Sequence, residues 1–273
     1  MPAMTMRPRQ SFGFFTRRSP LIDLAEFVLL AGALLWLALH GAQSMGYRWQ
    51  WYRVPQYLAR VIDSEVVPGP LLRGLVVTLE VSLWALLLTL VIGLVTALLR
   101  LSDSISGRLL ARAYLEVIRN TPLLVQLYLF YFVLAPILGI GRFWTGILCL
   151  AFFEGSFAAE IIRAGILSVP KGQWEAADSL GLRAITKYRL VVLPQALQLM
   201  LPPLTGLAVS LIKNSSIVSV IAVFDLTNEG RNVIADTFMS FEIWFTVAAI
   251  YLLFTVSLSS LVGWLEHRLK KRQ

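Results

Sequence analysis

Cysteine and histidine are almost missing from these 273 residues: there is one cysteine, Cys149, and two histidines, His40 and His267, near opposite ends. No disulfide can close within the chain, and no Cys/His metal cluster can be assembled, so no metal site is expected. The lone thiol leaves the redox compartment unread. Charge is scarce as well. Charged residues make up 15% of the chain against 57% hydrophobic, with a mean hydropathy of +0.72. A soluble domain of this length has no interior large enough to hide that much apolar surface, so lipid must be the solvent for much of it. No G-x-x-x-x-G-K-[ST] loop occurs, which removes the usual phosphate cradle for nucleotide hydrolysis. Internal repeats, low-complexity segments and a separate soluble domain are absent too.

What is present is a series of long apolar runs, approximately 21–42, 74–99, 121–140, 144–168, 196–223 and 241–266. Each approaches the roughly 20 residues that a helix needs to cross the hydrocarbon. The runs are continuous rather than alternating, which selects helices over a barrel. The fourth and fifth contain polar residues, and the fifth holds Pro202-Pro203. The basic stretch Arg7 to Arg18 leads into a long apolar run with no convincing small-residue cleavage pattern, so a retained first helix is expected.

The net charge of +8 is spread in short runs between the apolar segments, the pattern of membrane loops rather than of a nucleic-acid surface. With the N-terminus inside, the cytoplasmic segments hold Arg7, Arg9, Arg17, Arg18, Arg100, Arg108, Arg112 and Arg119. Further along they hold Arg163, Lys171, Arg183, Lys187, Arg189, Arg268, Lys270, Lys271 and Arg272. The opposite side holds Arg48, Arg53, Arg60, Arg73, Arg142 and Arg231, while Lys213 falls within the fifth span. Of the 24 basic residues, seventeen against six predicts that both termini are cytoplasmic. The 43–73 connection carries Trp49, Trp51, Tyr52 and Tyr57, suited to an interfacial belt, and Asp63 and Glu65 partly offset its arginines.

The most informative stretch joins the fourth and fifth spans: SVPKGQWEAADSLGLRAITKYRLVVLPQ, Ser168 to Gln195. Ser168 and Pro170 punctuate the end of the fourth span. Gln173, Trp174 and Glu175 open a short helix in which Ala176, Ala177 and Leu180 are expected on one small, apolar side. Gly181 ends that helix or permits close approach of another backbone. A second helical piece, Lys187 to Leu193, leads to Pro194 and the next span. Small residues beside a charged end let another helix come close and fix its register.

Glu175-Ala176-Ala177, three residues, Gly181, nine residues, then Val191-x-Leu193-Pro194 resembles the EAA loop of bacterial ABC importer permeases. The family usually has isoleucine where Val191 stands. The resemblance implies that this loop is a coupling helix docked in a groove of a separate ATPase, with Gln173, Glu175, Ala176, Ala177, Gly181, Leu193 and Pro194 as the coupling residues. Four further stretches narrow the family: Arg119-Asn120-Thr121-Pro122-Leu123-Leu124-Val125-Gln126, Ala159-Glu160-Ile161-Ile162-Arg163-Ala164-Gly165-Ile166, Leu193-Pro194-Gln195-Ala196 and Leu211-Ile212-Lys213-Asn214-Ser215-Ser216. Together they are similar to the polar amino acid permeases, the histidine/glutamine/glutamate/arginine/opine group, over residues 74–266. The implied fold is the all-α, type I ABC importer permease fold with six transmembrane helices, one more than the five of many members. Residues 1–70 form the tail, the extra helix and an external connection, and 71–273 the permease domain. The implied partners are a pair of ATP-binding cassette ATPases that hold ATP and magnesium, a second permease subunit, identical or related, and an extracytoplasmic substrate-binding protein. A single set of so few helices is too small to enclose a gated path, which points to the same dimer. The chain itself is expected to be non-catalytic.

Three ionisable groups inside the spans need a reason, because each costs about 2.5–3.5 kcal/mol to place in hydrocarbon. Glu154, Glu160 and Lys213 are therefore candidate substrate contacts. Glu160 shares a face with Arg163 and can pair with it; the family places an acid at Glu160, where it can meet an ammonium. Glu154 has no partner on its own helix, and it sits about 120° from Glu160 around the axis. Lys213 can hold a carboxylate or satisfy carbonyls loosened by Pro202-Pro203. An intramembrane serine protease built on Gly155-Ser156 lacks a positioned histidine, although a Ser-Lys pair with Lys213 stays open; a channel leaves the docking loop unexplained. Phe153-Glu154-Gly155-Ser156 and Phe224-Asp225-Leu226 look most like the acidic amino acid members, which leans the substrate toward glutamate or aspartate, with basic amino acids as the alternative within the family.

Overall fold

The computed structural model describes residues 20–44, 46–62 and 64–270; Arg7, Arg9, Arg17, Arg18, Asp63, Lys271 and Arg272 lie outside the described residues. Contacts divide the chain into Met1–Trp49 and Gln50–Gln273. The first unit contributes helix α1 (Pro20–Ser44), 25 residues long, enough to cross the hydrocarbon at about 1.5 Å per residue. Trp36 and His40, one turn apart, stack at 5.2 Å.

The second unit opens on two helical turns, Trp51–Arg53 and Pro55–Leu58, and a small antiparallel hairpin, β1 (Ala59–Ile62) and β2 (Glu65–Pro68). β-Branched Val61, Val66 and Val67 favour that pairing. The helices then follow as α2 (Pro70–Leu101), α3 (Ile105–Arg119), α4 (Leu123–Leu138), α5 (Arg142–Leu167), α6 (Lys171–Ser179), α7 (Ala184–Ile221), α8 (Leu226–Thr237) and α9 (Ser240–Lys270). Among the described residues α2, α5, α7 and α9 are each long and apolar enough to span, and α3 with α4 forms a pair bent by 109°. Pro122 stands in that break, where it biases the residue before it away from helical geometry.

Two π-helical turns, Phe130–Leu134 in α4 and Tyr188–Val192 in α7, each come just before a proline, Pro136 and Pro194. Those prolines have no N–H for the carbonyls of Phe132 and Leu190, and the widened turn absorbs the mismatch. The fifth span consequently begins earlier than its expected start at 196: the helix runs from Ala184 through Pro194 without a stop.

Packing is led by α2 against α5, and the contact is made by small residues. A Cβ on Gly93 would stand 2.6 Å from the Ala158 Cβ, and one on Gly155 2.9 Å from the Ile92 Cγ2. Lipid offers an apolar side chain as good an environment as protein does, so close backbone approach has to provide the association. Around this seam, Val81, Ala85, Leu127, Ile147, Leu150 and Leu211 form one buried cluster. Ala97, Ile162, Ile166, Val192 and Met200 form a second at the end from which α6 emerges. At the other end, Tyr57, Leu71, Leu226, Met239 and Ile243 close the bundle.

That last end contains a buried polar knot. Gly74 lets α8 approach so closely that a Cβ there would lie 2.9 Å from the Leu226 Cα, and the Leu226 N–H donates to Thr78 Oγ1 at 3.0 Å. Asp225 caps α8: its carboxylate accepts from the N–H groups of Asn228 at 3.0 Å and Thr227 at 3.3 Å. Burial pushes the Asp225 carboxyl up to about 6, with the hydrogen bonds opposing that rise. Burial also raises Glu229, against the pull of Arg73.

A carboxyl raised in the folded state contributes stability that is complete below its ordinary value near 3.8 and is lost as pH rises through about 6. The melting temperature of the purified protein in detergent should therefore fall between about pH 4 and pH 7. Asp225→Asn, which keeps the cap oxygen, should flatten much of that slope and leave the smaller share due to Glu229. An unchanged slope in this variant would contradict the assignment.

Candidate functional site

The segment 168–195 folds back on the ends of α5 and α7. Helix α6 closes in a left-handed turn: Gly181 has φ +66°, its N–H donates to the Asp178 carbonyl at 2.9 Å, and the Leu182 N–H donates to the Ala177 carbonyl at 3.2 Å. This paired return is what a terminal glycine permits. A Cβ on Gly181 meets nothing within 4 Å, so within this chain the glycine is required by backbone conformation rather than by close approach. Ala176, Ala177 and Leu180 do not share one side as expected. Ala177 is buried, whereas Ala176 and Leu180, one turn apart, face outward with Glu175. Ile185 is 83% exposed and Leu180 77%, giving this surface two apolar points with no cover among the described residues.

Behind that surface α6 is braced. Trp174 stands edge-on to Tyr188 at 5.4 Å; Lys187 Nζ lies 5.8 Å from the Trp174 ring and 2.5 Å from Asp178 Oδ1. Gln195 Nε2 donates to the Val191 carbonyl at 2.8 Å and reaches Gln173 Oε1 at 3.4 Å. Leu193 and Pro194 lie at the restart of regular helix, beyond the π turn, and not on the outward surface of α6. Trp174 and Tyr188 pack in turn on the Ile162–Met200 cluster. The end of α5, all of α6 and the start of α7 thus form one solid piece.

The three ionisable residues singled out in the spans go to three different places. Glu154 is 4% exposed and accepts a hydrogen bond from Asn214 Nδ2 at 2.8 Å, a partner from α7. Glu160 is half-buried and joins two arginines: Arg163 one turn on, as the spacing suggests, and Arg100 at 2.7 Å from the end of α2. Lys213 is exposed and makes no ion pair among the described residues. Ser156 is buried with its hydroxyl donating back to the Phe153 carbonyl at 2.7 Å, the ordinary helical back-bond and not a nucleophile held by a base.

Arginines assigned to loops by the sequence reach this region. Arg119 Nη2 donates to the Ser156 carbonyl, and its guanidinium lies 5.2 Å from the Phe157 ring. Beside it Tyr114 donates to the Phe152 carbonyl at 2.5 Å, so α3 is latched to consecutive turns of α5. Arg119, Phe157, Glu160, Ala164, Leu199 and Pro203 line a cleft of about 640 Å³. Its chemistry is an acid, a guanidinium and an aromatic face, with a proline that offers no N–H to the Leu199 carbonyl. Such a wall offers an acceptor for an ammonium and a donor for a carboxylate within one space. The polar run Asn214-Ser215-Ser216 was the one sequence signal for a partner to Glu154. Nothing local signalled Arg100 or Arg119 as partners of α5.

Residues 71–271 match the family described as binding-protein-dependent transport system inner membrane component. The chain is 40% identical over 195 residues to the probable glutamine ABC transporter permease protein GlnM of Bacillus subtilis (strain 168), covering 71% of this chain and 90% of that one. It is 38% identical over 203 residues to the glutamine transport system permease protein GlnP of Escherichia coli (strain K12), covering 73% and 93%. The crystal structure of an amino acid ABC transporter with histidines superposes with a TM-score of 0.68 at 39% identity, covering 73% of this chain and 94% of that one.

Asn214→Leu should leave the Glu154 carboxyl buried and unpartnered, at a cost of about 1–3 kcal/mol. Glu154→Gln keeps an acceptor for Asn214 and should cost clearly less. Thermal unfolding of the purified variants ranks the two, and the reverse ranking would show that the pair is not holding α5 to α7.

Proposed function

Because the chain belongs to the binding-protein-dependent transport system inner membrane components, as a multi-pass, non-catalytic polar amino acid permease, we propose that it moves its substrate by alternating access driven through α6. Two ATPase subunits bind ATP and magnesium and close on each other. Each carries the outward surface of an α6, with Glu175, Ala176, Leu180 and Ile185 as its contacts. The observation that supports this is the brace of Trp174, Tyr188, Lys187 and Asp178, which ties α6 to the start of α7, together with the packing of Trp174 and Tyr188 on the cluster that holds Ile162 and Ile166 of α5. A displacement of α6 therefore cannot be absorbed locally. It passes to the two helices that carry Glu154, Glu160, Asn214 and Lys213. Gln173 helps to hold the brace, Ala177 seats α6, Gly181 sets its end, and Leu193 and Pro194 redirect the chain into the span.

The second permease subunit, a copy of this chain or a relative, covers the exposed Lys213 side of α7. An ammonium in a span with no ion-pair partner among the described residues is expensive unless it faces another subunit or a watered path. An external binding protein delivers the amino acid, and both termini, with α1 as the added first span, lie on the cytoplasmic side. Glu160 and Glu154 are the contacts for the substrate ammonium, and Lys213 the contact for a carboxylate. Two substrates compete for this arrangement. Glutamine fits the names of the two relatives and meets no repulsion from the two acids. Glutamate or aspartate is favoured by Lys213 and by the runs around Glu154 and Asp225.

Gly181→Glu should abolish ATP-driven uptake in vesicles while leaving membrane insertion intact. It places a β-carbon in a left-handed conformation, at about 1 kcal/mol, and sets a charge beside the α6 surface. Normal uptake by this variant would contradict docking through α6. Competition in the reconstituted complex separates the substrates: glutamine should displace best, glutamate next, and arginine or histidine least. If glutamate leads, Lys213→Gln should weaken uptake more than Glu154→Gln, and the opposite order removes Lys213 from the substrate path.

A further inference from the structure

Helix α3 has three faces, only one of which the transport reading uses. Gly107, Ala111, Leu115 and Ile118 are buried against the bundle. Leu109 and Leu110 are each 67% exposed and Val117 62%, forming an apolar face with nothing over it among the described residues. Between these faces lie Arg108, Arg112 and Arg119, four and seven residues apart and so on one side of the helix. Arg100 reaches the same place from the end of α2. Arg100, Arg112, Glu116, Arg119 and Asn120 line a cleft of about 350 Å³, separate in position from the cleft beside Pro203 though sharing Arg119 with it.

The charges in this cleft do not balance. Glu160 is engaged by Arg100 and Arg163, and Glu116 accepts from Asn120 Nδ2 at 3.0 Å. Arg112 makes no ion pair or hydrogen bond among the described residues. Arg100 and Arg163 share the single charge of Glu160, and Glu116 is the one other carboxylate beside Arg112 and Arg119, so the cleft keeps a positive excess that attracts an anion. Helix α3 follows directly on the end of α2 and turns 109° from α4, so its first turns, with Arg108 and Arg112, stand at the end of the bundle from which Arg100 emerges. A basic stripe beside exposed leucines at the end of a membrane-spanning bundle is the pairing that meets lipid phosphates and acyl chains together.

We propose that the Arg100–Arg112–Arg119 cleft binds the phosphodiester of an anionic phospholipid, with the acyl chains lying along Leu109, Leu110 and Val117. The site lies on the same side of the membrane as residues 168–195, because Arg100 pairs with Glu160 two turns before α5 ends. Arg119 borders both clefts, so the lipid phosphate is one side chain away from Glu160. This inference rests on the membrane placement of the chain and not on which amino acid it carries.

The test is native mass spectrometry of the assembled complex, titrated with dioleoylphosphatidylglycerol or dioleoylphosphatidylcholine, with inorganic phosphate as a competing probe. Phosphatidylglycerol should be retained about tenfold better than phosphatidylcholine. Arg112→Gln should reduce that retention about fivefold and Arg112→Lys should restore most of it. Gel filtration and melting in phosphatidylcholine establish that the variants are folded. Equal retention of the two lipids, or undiminished phosphatidylglycerol binding by Arg112→Gln, overturns the proposal. So does complete displacement by millimolar inorganic phosphate, which assigns a free-anion site instead. A complex that carries no glutamine still reads out here, so the two proposals fail separately.

Discussion

The seam between α2 and α5 is the contact on which the remaining arrangement depends. Gly93 against Ala158 and Ile92 against Gly155 bring two long apolar helices to backbone distance. In lipid, burying a leucine between helices gains little over leaving it among acyl chains, so shape and close approach decide which helices associate. Every element that touches the candidate sites is hung on one of these two helices. Helix α8 closes over Gly74 at one end of α2, Arg100 leaves the other end, and α5 runs directly into residues 168–195.

Polar groups are distributed so that α5 exchanges hydrogen bonds with three of its neighbours, α2, α3 and α7. Tyr114 and Arg119 of α3 take the Phe152 and Ser156 carbonyls, Asn214 of α7 takes Glu154, and Arg100 of α2 takes Glu160. A buried polar atom without a partner is costly where no water can replace it. These bonds accordingly fix the rotation of α5 about its axis more firmly than its apolar surface does. The same bonds place an acid, a guanidinium and an aromatic ring around one cleft on α5, and the packing of Trp174 and Tyr188 on the cluster of Ile162 and Ile166 connects α6 to that helix. A transporter needs such a connection, since the energy arrives outside the membrane and has to act inside it.

The two widened turns show how a span tolerates proline. Pro136 and Pro194 each strand a carbonyl inside a π turn, and the Gln195 amide donates to a neighbouring one, Val191. One lies in α4 well beyond its elbow with α3, the other where α7 passes from residues 168–187 into the span. Local irregularity of this kind lets one continuous helix serve both surroundings.

By itself the sequence determined the solvent, the approximate positions of the spans α2, α5, α7 and α9, and the identity of the charged residues within them. Each of these is carried by composition or by spacing within a few turns of one helix. The Glu160–Arg163 pair was legible for that reason, being one turn apart. Tertiary structure alone decided what meets across helices: Asn214 with Glu154 and Arg100 with Glu160, each 60 residues apart, and Leu226 with Thr78, 148 apart. Helices that are apolar nearly all round give little periodicity from which to read their rotation, and depth in the bilayer is known from sequence only to about a turn. The outward face of α6 was misplaced by one position, Ala177, because a short helix with alanines on adjacent sides has no dominant stripe until its braces to Tyr188 and Lys187 are in place.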